Sequence, residues 1–568
     1  MRTWERSGIA LGILLASAIL LLGVPGQALA QCGPFTDAGA ECQVSGTVTT
    51  SGSHVIGKTL HVLSGGTIKV SPVSAGLNLD IAGDLIIEAG GKINGNVDGN
   101  QPGATIVVTA AGEIVLKPGN PGGIITANQN HGSCTANGGG GNISLTAGGN
   151  VTTGAGSEIT SISPCGKGKI DIAGVIVNLG GLVLSQGTTS KGQGGPINVI
   201  ASCDLIETGE VTSLGRDPGA DRVHLQAGCT VRIFGLVRSE GQGHSSTTTN
   251  ICRGAERPDK PDNSRACVEI WSGDTVLIDA QGSNKGEVHA TVGFGGGVSG
   301  HAWIDIFALN DITINGPFVE PFAVHSNMTL SNGTGGTIQV KSKAGNVNTG
   351  GLAIQANATN GGGAGGIVLV QGAIDVNFSA ATIEAKGANK GGGHQSGGEI
   401  TARAFNGVVS GVAPGRLDAD GGGGQSTPDP GVVTLQGCGT PAAGDGVNYS
   451  GTVVPAPAVI LADQCGGEPA FAAYVVFPAC ACACVCVSAA TTAAGQAGPT
   501  TSITGTGLKQ VTDVYLNSTT CDPGFGDHFP KATFLLQTDT LIRVPGSLTS
   551  GLKIVTVGPN GSCCMIAP

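Results

Sequence analysis

The sequence predicts an all-β chain, a right-handed parallel β-helix of about eleven coils followed by a small β-sandwich. Three observations carry that expectation. Glycine supplies 100 of 568 residues, far above the ordinary share of about 7%, without the strict triplet period of collagen. One phrase recurs along the chain: glycine, a short alternating apolar stretch, a turn at a small residue or Asn/Asp, and a second apolar stretch. It takes ten steps from Gly83 to Gly407, about 32 residues each, the mark of a solenoid. Finally, no helical periodicity follows the first thirty residues, and after Val475 the glycine-rich rhythm stops.

In chain order, residues 1–30 read as an export signal. Arg2 and Arg6 precede an apolar run from Ile9 to Leu22, and Ala28-Leu29-Ala30 forms a small-residue cleavage site that would leave Gln31 as the new N-terminus. Residues 31–52 form an N-terminal cap and 53–440 the β-helix. Copies of the repeat include GATIVVTAAGEIVL from Gly103, GKIDIAGVIVNL from Gly168, GPINVIASCDLI from Gly195 and GGEITARAFNGVV from Gly397. Each unit holds three short strands. Inward positions carry Ile, Val, Leu and Ala, and turns carry Gly and Asn, which tolerate positive φ. Coils stacked about 4.8 Å apart make a rod near 50 Å long. Glycine tracts at Gly138–Gly141, Gly361–Gly363, Gly391–Gly393 and Gly421–Gly424 are expected to bulge from one corner. Residues 441–474 read as a linker or strap, with Pro455 and Pro457, and 475–568 as the sandwich. The apolar run Ala470–Ala490 is interrupted by Pro478 and then alternates Cys with Ala or Val, so it reads as a buried strand rather than a membrane span.

Charged residues are 12% of the chain, aromatic residues 3%, and the net charge is −11 with no basic stripe. This excludes a charge-rich disordered chain and argues against a nucleic-acid partner or an anionic membrane. The few rings leave little for a stacking platform.

GGNISLTAGGNVTTGAGSEI, from Gly140 to Ile159, resembles the repeats of filamentous haemagglutinin-like exoproteins and autotransporter passenger domains. The starts GGII at Gly122, GGTI at Gly335 and GGIV at Gly365 resemble repeats of polymorphic outer-membrane proteins. The resemblance spans roughly residues 53–440 and implies a bacterial surface or secreted rod. In the tail, ITGTGL before a V-x-x-V strand, then IRVP, then G-x-x-x-V-T-V resemble an IPT/TIG immunoglobulin-like domain. That implies an Ig-like β-sandwich, commonly an interaction or spacer module.

Catalysis on a β-helix needs clustered carboxylates with a base. Asp171, Asp204, Asp274, Asp311 and Asp375 fall near first turns of different coils, where Asp is also a plain turn former. His224 and His289, and the pair His301 and Trp303, could line one sheet, but a lone His on a strand is usually structural. Neither an acid pair nor a base is identifiable, so no catalytic residue is assigned. NGNVDGN at Asn94–Asn100 opens like a Ca²⁺ loop, but Thr105 stands where the bidentate Glu belongs, and DADGG at Asp418–Gly422 is half a site. No cofactor is therefore expected, calcium being the one ion these turns bring to mind. GTGGTIQVK from Gly333 lacks the Gly-Lys-Ser/Thr ending of a phosphate loop.

The resulting expectation is a non-enzymatic, exported cell-surface or secreted protein, whose rod and Ig-like module meet extracellular polysaccharide or protein. The charged insert Gly241–Arg265 is the contact segment it favours. The alternative is a polysaccharide-active β-helix enzyme, lyase or glycoside hydrolase, which three or more of the named carboxylates gathered beside Arg or Lys would support.

Seventeen cysteines follow the signal, as expected in an oxidising compartment. Cys203 and Cys229 hold the same place in neighbouring repeats, and Cys134 and Cys165 are also about one coil apart. Stacking brings such pairs into the roughly 4.4–6.8 Å Cα range of a disulfide. Cys32–Cys42, Cys252–Cys267 and Cys438–Cys465 are expected as local closures. Cys480, Cys482, Cys484 and Cys486 share one strand face, so their partners would be Cys521, Cys563 and Cys564, leaving one thiol for a disulfide-linked dimer. A thiolate metal cluster is the competing reading of those four.

Overall fold

A computed structural model describes residues 32–568, apart from 100, 131–138, 190–191, 216–219, 243–263, 283, 294–300, 329–332, 360–362, 389–395, 423–428, 439–445, 457–458, 462–464, 473–474, 479–486, 496–497, 506–512, 519–526, 531–535, 538–540, 546–552, 559–560 and 567–568. The export signal with Ala30 and Gln31, most of the charged insert, and Cys134, Cys252, Cys480, Cys482, Cys484, Cys486 and Cys521 lie outside these residues. Among the described residues there is no α-helix, and no helix long and apolar enough to cross a membrane.

The chain is a parallel β-helix. Each coil lays down three strands, as in Ile106–Ala110, Ile114–Leu116 and Ile124–Thr126, and each pairs in parallel with its counterpart in the next coil. The first strands stack into a fourteen-stranded sheet running from Gly52–Ile56 to Val459–Leu461. Between the strands Leu77–Ile81 and Glu399–Ala404 lie ten steps, matching the repeat spacing. The stack has further strands at both ends, so it is longer than the eleven coils expected. Its last ones, Val447–Tyr449, Thr452–Val454 and Val459–Leu461, lie in the segment read as a linker. The second and third faces join into one 27-stranded sheet, because Val347–Gln355 and Val376–Glu384 continue through the corner between them.

Aliphatic ladders fill the lumen. Ile106, Ile143, Ile170, Ile197, Val223, Val268, Ile304, Ile338, Val368 and Ile400 follow one another in register, all fully buried. Each such side chain contributes roughly 1.5–3 kcal/mol of burial. The core is therefore a column repeated coil by coil, and not one large nucleus.

The doubled glycines that open many repeats have a local cause. On the third face Ser161, Ser185, Ser213 and Ser239 point inward, one per coil, and donate to the carbonyls of Gly141, Gly168, Gly195 and Asp221 at 2.8–3.0 Å. Ser185 and Ser239 also accept the backbone N–H of Gly195 and Cys267. Each donation thus closes a coil onto its own start, and the bonds accepted by Ser185 and Ser239 tie that coil to the start of the next. A Cβ at Gly168 would lie 1.6 Å from Ser161 Oγ, and one at Gly140 2.1 Å from it. Only glycine lets the backbone pass that close.

Cys32–Cys42 and Cys438–Cys465 are disulfide-bonded, with Cα separations of 5.3 and 4.4 Å, as expected. Cys203 and Cys229 stack in register, the Cys229 N–H donating to the Cys203 carbonyl at 2.8 Å, and both are half-cystines. Cys165 and Cys267 are half-cystines too.

Residues Ala470–Ala472 and Val475–Pro478 were expected within a buried strand, and they form none. They lie against the outer face of the first sheet, where every strand is already paired on both sides and offers no free edge. Lys341 Nζ donates to the Ala470 carbonyl at 3.0 Å, and Phe471 packs edge-on to Phe307 with centroids 5.3 Å apart. Toward the C-terminus the chain forms two four-stranded antiparallel sheets, Val487–Gly495, Gly498–Gly505, Leu541–Pro545 and Leu536–Gln537 in one, and Asp527–Pro530, Asp513–Ser518, Lys553–Gly558 and Gly561–Ile566 in the other.

Candidate functional site

The five carboxylates singled out by sequence do not converge. Asp204, Asp311 and Asp375 each accept the backbone N–H that opens a strand of the next coil, from Thr230, Asn346 and Val408 at 2.7–3.0 Å. Asp274 accepts the Asn310 amide at 2.7 Å, and Asp171 meets Asn198 and Lys169. The five lie one to a coil: Asp204, Asp311 and Asp375 cap turns, Asp274 holds a side-chain amide, and Asp171 stands on the strand Ile170–Gly174. The proposed calcium turns behave alike: Asn94 and Asn96 accept backbone N–H groups, Asp98 accepts the Asn130 amide, and Asp418 is held by Arg416 and Lys386.

Two clusters escaped the sequence reading as clusters: His224, His301 and Trp303 do share the first sheet, but His289 lies on the third face and not with them. The first lies on the outer face of the first sheet, where Arg222–Ala227, Ser264–Ser272 and His301–Ala308 run side by side. Register brings Glu269 between His224 and Asp305, and Trp271 beside Phe307. His224 Nδ1 is 3.3 Å and Arg222 3.8 Å from the Glu269 carboxylate, Trp303 donates to Asp305 at 2.6 Å, and His224 sits edge-on to Trp271 at 4.7 Å. Two acids, an imidazole and two indoles resemble a sugar-cleaving set in composition. Yet Glu269 is 0% and Asp305 1% exposed, so no polymer reaches them.

The second cluster lies on the third face, where outward positions form a polar ladder over seven coils. Thr212, Arg238, His289, His325, Gln355, Glu384 and Asp418 follow one another in register. Arg238 pairs with Glu210 at 3.2 Å and Glu240 at 3.6 Å. His325 Nε2 lies 2.6 Å from Glu287, and Gln355 and Asn357 both donate to Glu384. Lys386 bridges Glu384 and Asp418, and these two carboxylates hold its ammonium above the usual lysine range against the opposing effect of burial. Burial, with His325 and Arg238 as like-charged neighbours, keeps the His289 imidazole well below the usual histidine range. The missed signal was positional: outward residues about 30 apart in sequence become neighbours only once the coil register is drawn. His289 was named, but as a lone histidine; its partner His325 was not.

Fold and site together define a parallel β-helical rod with turn-capping carboxylates, a buried acid pair and a polar ladder that is half-buried at Arg238, His289, Gln355 and Glu384 and buried at Thr212, His325 and Asp418. No protein family, curated protein or solved structure matches the chain.

Proposed function

We propose that the chain is an exported, non-enzymatic surface or secreted rod that presents its polar third face and its loops to extracellular polysaccharide or protein. The observation that carries this reading is the ladder from Thr212 to Asp418, mixed in charge and rich in amide and carboxylate groups, repeated at the coil spacing. A repeating row of polar groups suits many weak, additive contacts with a repeating partner. The half-cystines fit an oxidising compartment. The C-terminal antiparallel sheets would form an IPT/TIG-like immunoglobulin module serving as spacer or second contact surface.

The alternative, a polysaccharide-active enzyme, draws support from Glu269, Asp305 and His224, and their burial weighs against it. Fractionation of producing cells tests the main reading. The chain is expected in the medium or at the envelope surface, accessible to added protease; retention in the cytoplasm would contradict export.

A further inference from the structure

We propose that Glu287, His289 and His325 form a binding site for a borderline divalent metal ion such as Zn²⁺ on the third face of the rod. Glu287 and His289 lie two residues apart on one strand and therefore on one face. The parallel register then sets His325 of the next coil beside His289, rings stacked with centroids 4.1 Å apart. One donor atom from each of the three residues lies within 4.8 Å of the other two. The Glu287 oxygen is 2.6 Å from His325 Nε2 and 3.7 Å from His289 Nδ1. Metal–ligand bonds of about 2.0–2.2 Å in a tetrahedron place donors roughly 3.3 Å apart, between those two values. Small side-chain rotations close the set, leaving a fourth position for water.

The surroundings favour a metal over a mere ion pair. His289 Nε2 is hydrogen-bonded to Thr291 Oγ1, which leaves Nδ1 as the nitrogen facing Glu287. A ligating histidine held through its other nitrogen is the usual arrangement at protein metal centres. Arg238, the cation next to His289 in the ladder, is engaged by Glu210 and Glu240, and on the other side lies uncharged Gln355. Imidazole and carboxylate together select Zn²⁺ and its neighbours over Ca²⁺. A second grouping, Cys203, Asp204 and Cys229, offers no thiolates, because both sulphurs are in disulfides.

The test is equilibrium dialysis of the exported full-length chain, stripped with chelator, against Zn²⁺ or Ca²⁺, with metal counted by mass spectrometry. Wild type is expected to hold about one Zn²⁺ more per chain than the H289A/H325A double variant. Single variants H289A, H325A and E287Q should each weaken binding at least about tenfold, while H61A, at a histidine on the distant strand Thr59–Val62 held between Glu41 and Glu88, should bind as wild type. Thermal melts of the metal-free variants establish that they fold, and Zn²⁺ should raise the melting temperature of wild type and H61A only. A Co²⁺-loaded wild type should show the visible absorption of tetrahedral coordination. Equal zinc in wild type and double variant, or none in either, overturns the site.

Discussion

Glu207 lies inside the column, on the inward side of Leu205–Glu207 and in register with Leu179 and Ile233. Its Oε2 accepts the Gly235 N–H at 3.1 Å, yet burial dominates and pushes its carboxyl up to about 8. Between the unfolded value near 4.5 and about 8 the folded chain holds one proton more than the unfolded chain, so stability falls as pH rises through that window. Relative to wild type, E207Q should therefore gain melting temperature progressively from about pH 5 to about pH 8; a pH-independent offset would contradict the assignment. The serine ties are testable by the same melts. Ser185→Ala removes two buried hydrogen bonds and should cost about 1–3 kcal/mol. Gly168→Ala forces a methyl onto Ser161 and should cost at least as much. Near-neutral effects at both positions would dismiss the tie.

At the scale of elements, the three strands per coil and the doubled glycines were legible because they recur along the sequence itself. The ladders were not. His289 and His325, or Glu269 and Asp305, are 36 residues apart and share no local pattern; each pair becomes visible only when parallel register is imposed. The segment Ala470–Pro478 misled for another reason. Its apolar residues read as strand, but they serve to cover Phe307 and to lie beside Gly273, a burial demand set by distant coils. This course descends the rod, from Gly467 beside Phe405 to Ala470 at Lys341 and Pro478 at Gly273, whose neighbouring coil carries Cys229. Two linkage patterns are then distinguishable for the half-cystines Cys203 and Cys229: a bond to each other, as the stacking alone suggested, or bonds to the Cys480–Cys486 run that follows Pro478. The descent favours the second. Non-reduced peptide mapping should find a peptide from residues 479–487 joined to one carrying Cys229 or Cys203. A Cys203–Cys229 cross-link would restore the first pattern.

For the whole molecule, the account holds that a stiff column of repeated aliphatic layers carries surface chemistry for contact and none for turnover. The acidic residues sort by burial: those at turns cap the backbone, Glu269 and Asp305 on the first sheet are buried, and most of those on the third face are partly exposed. The enzyme alternative assigns work to the buried acids Glu269 and Asp305, the presentation account to the half-buried charged groups of the ladder, Arg238, Glu384 and Lys386. Both can be read in one measurement, incubation of the exported chain with envelope and extracellular polysaccharides of the producing cells, scoring polymer retained on the protein and polymer length together. The account predicts retention of full-length polymer, weakened severalfold in the R238A/K386A variant and unchanged in E269Q/D305N. Shortened chains or new reducing or unsaturated ends, abolished in E269Q/D305N, would contradict it.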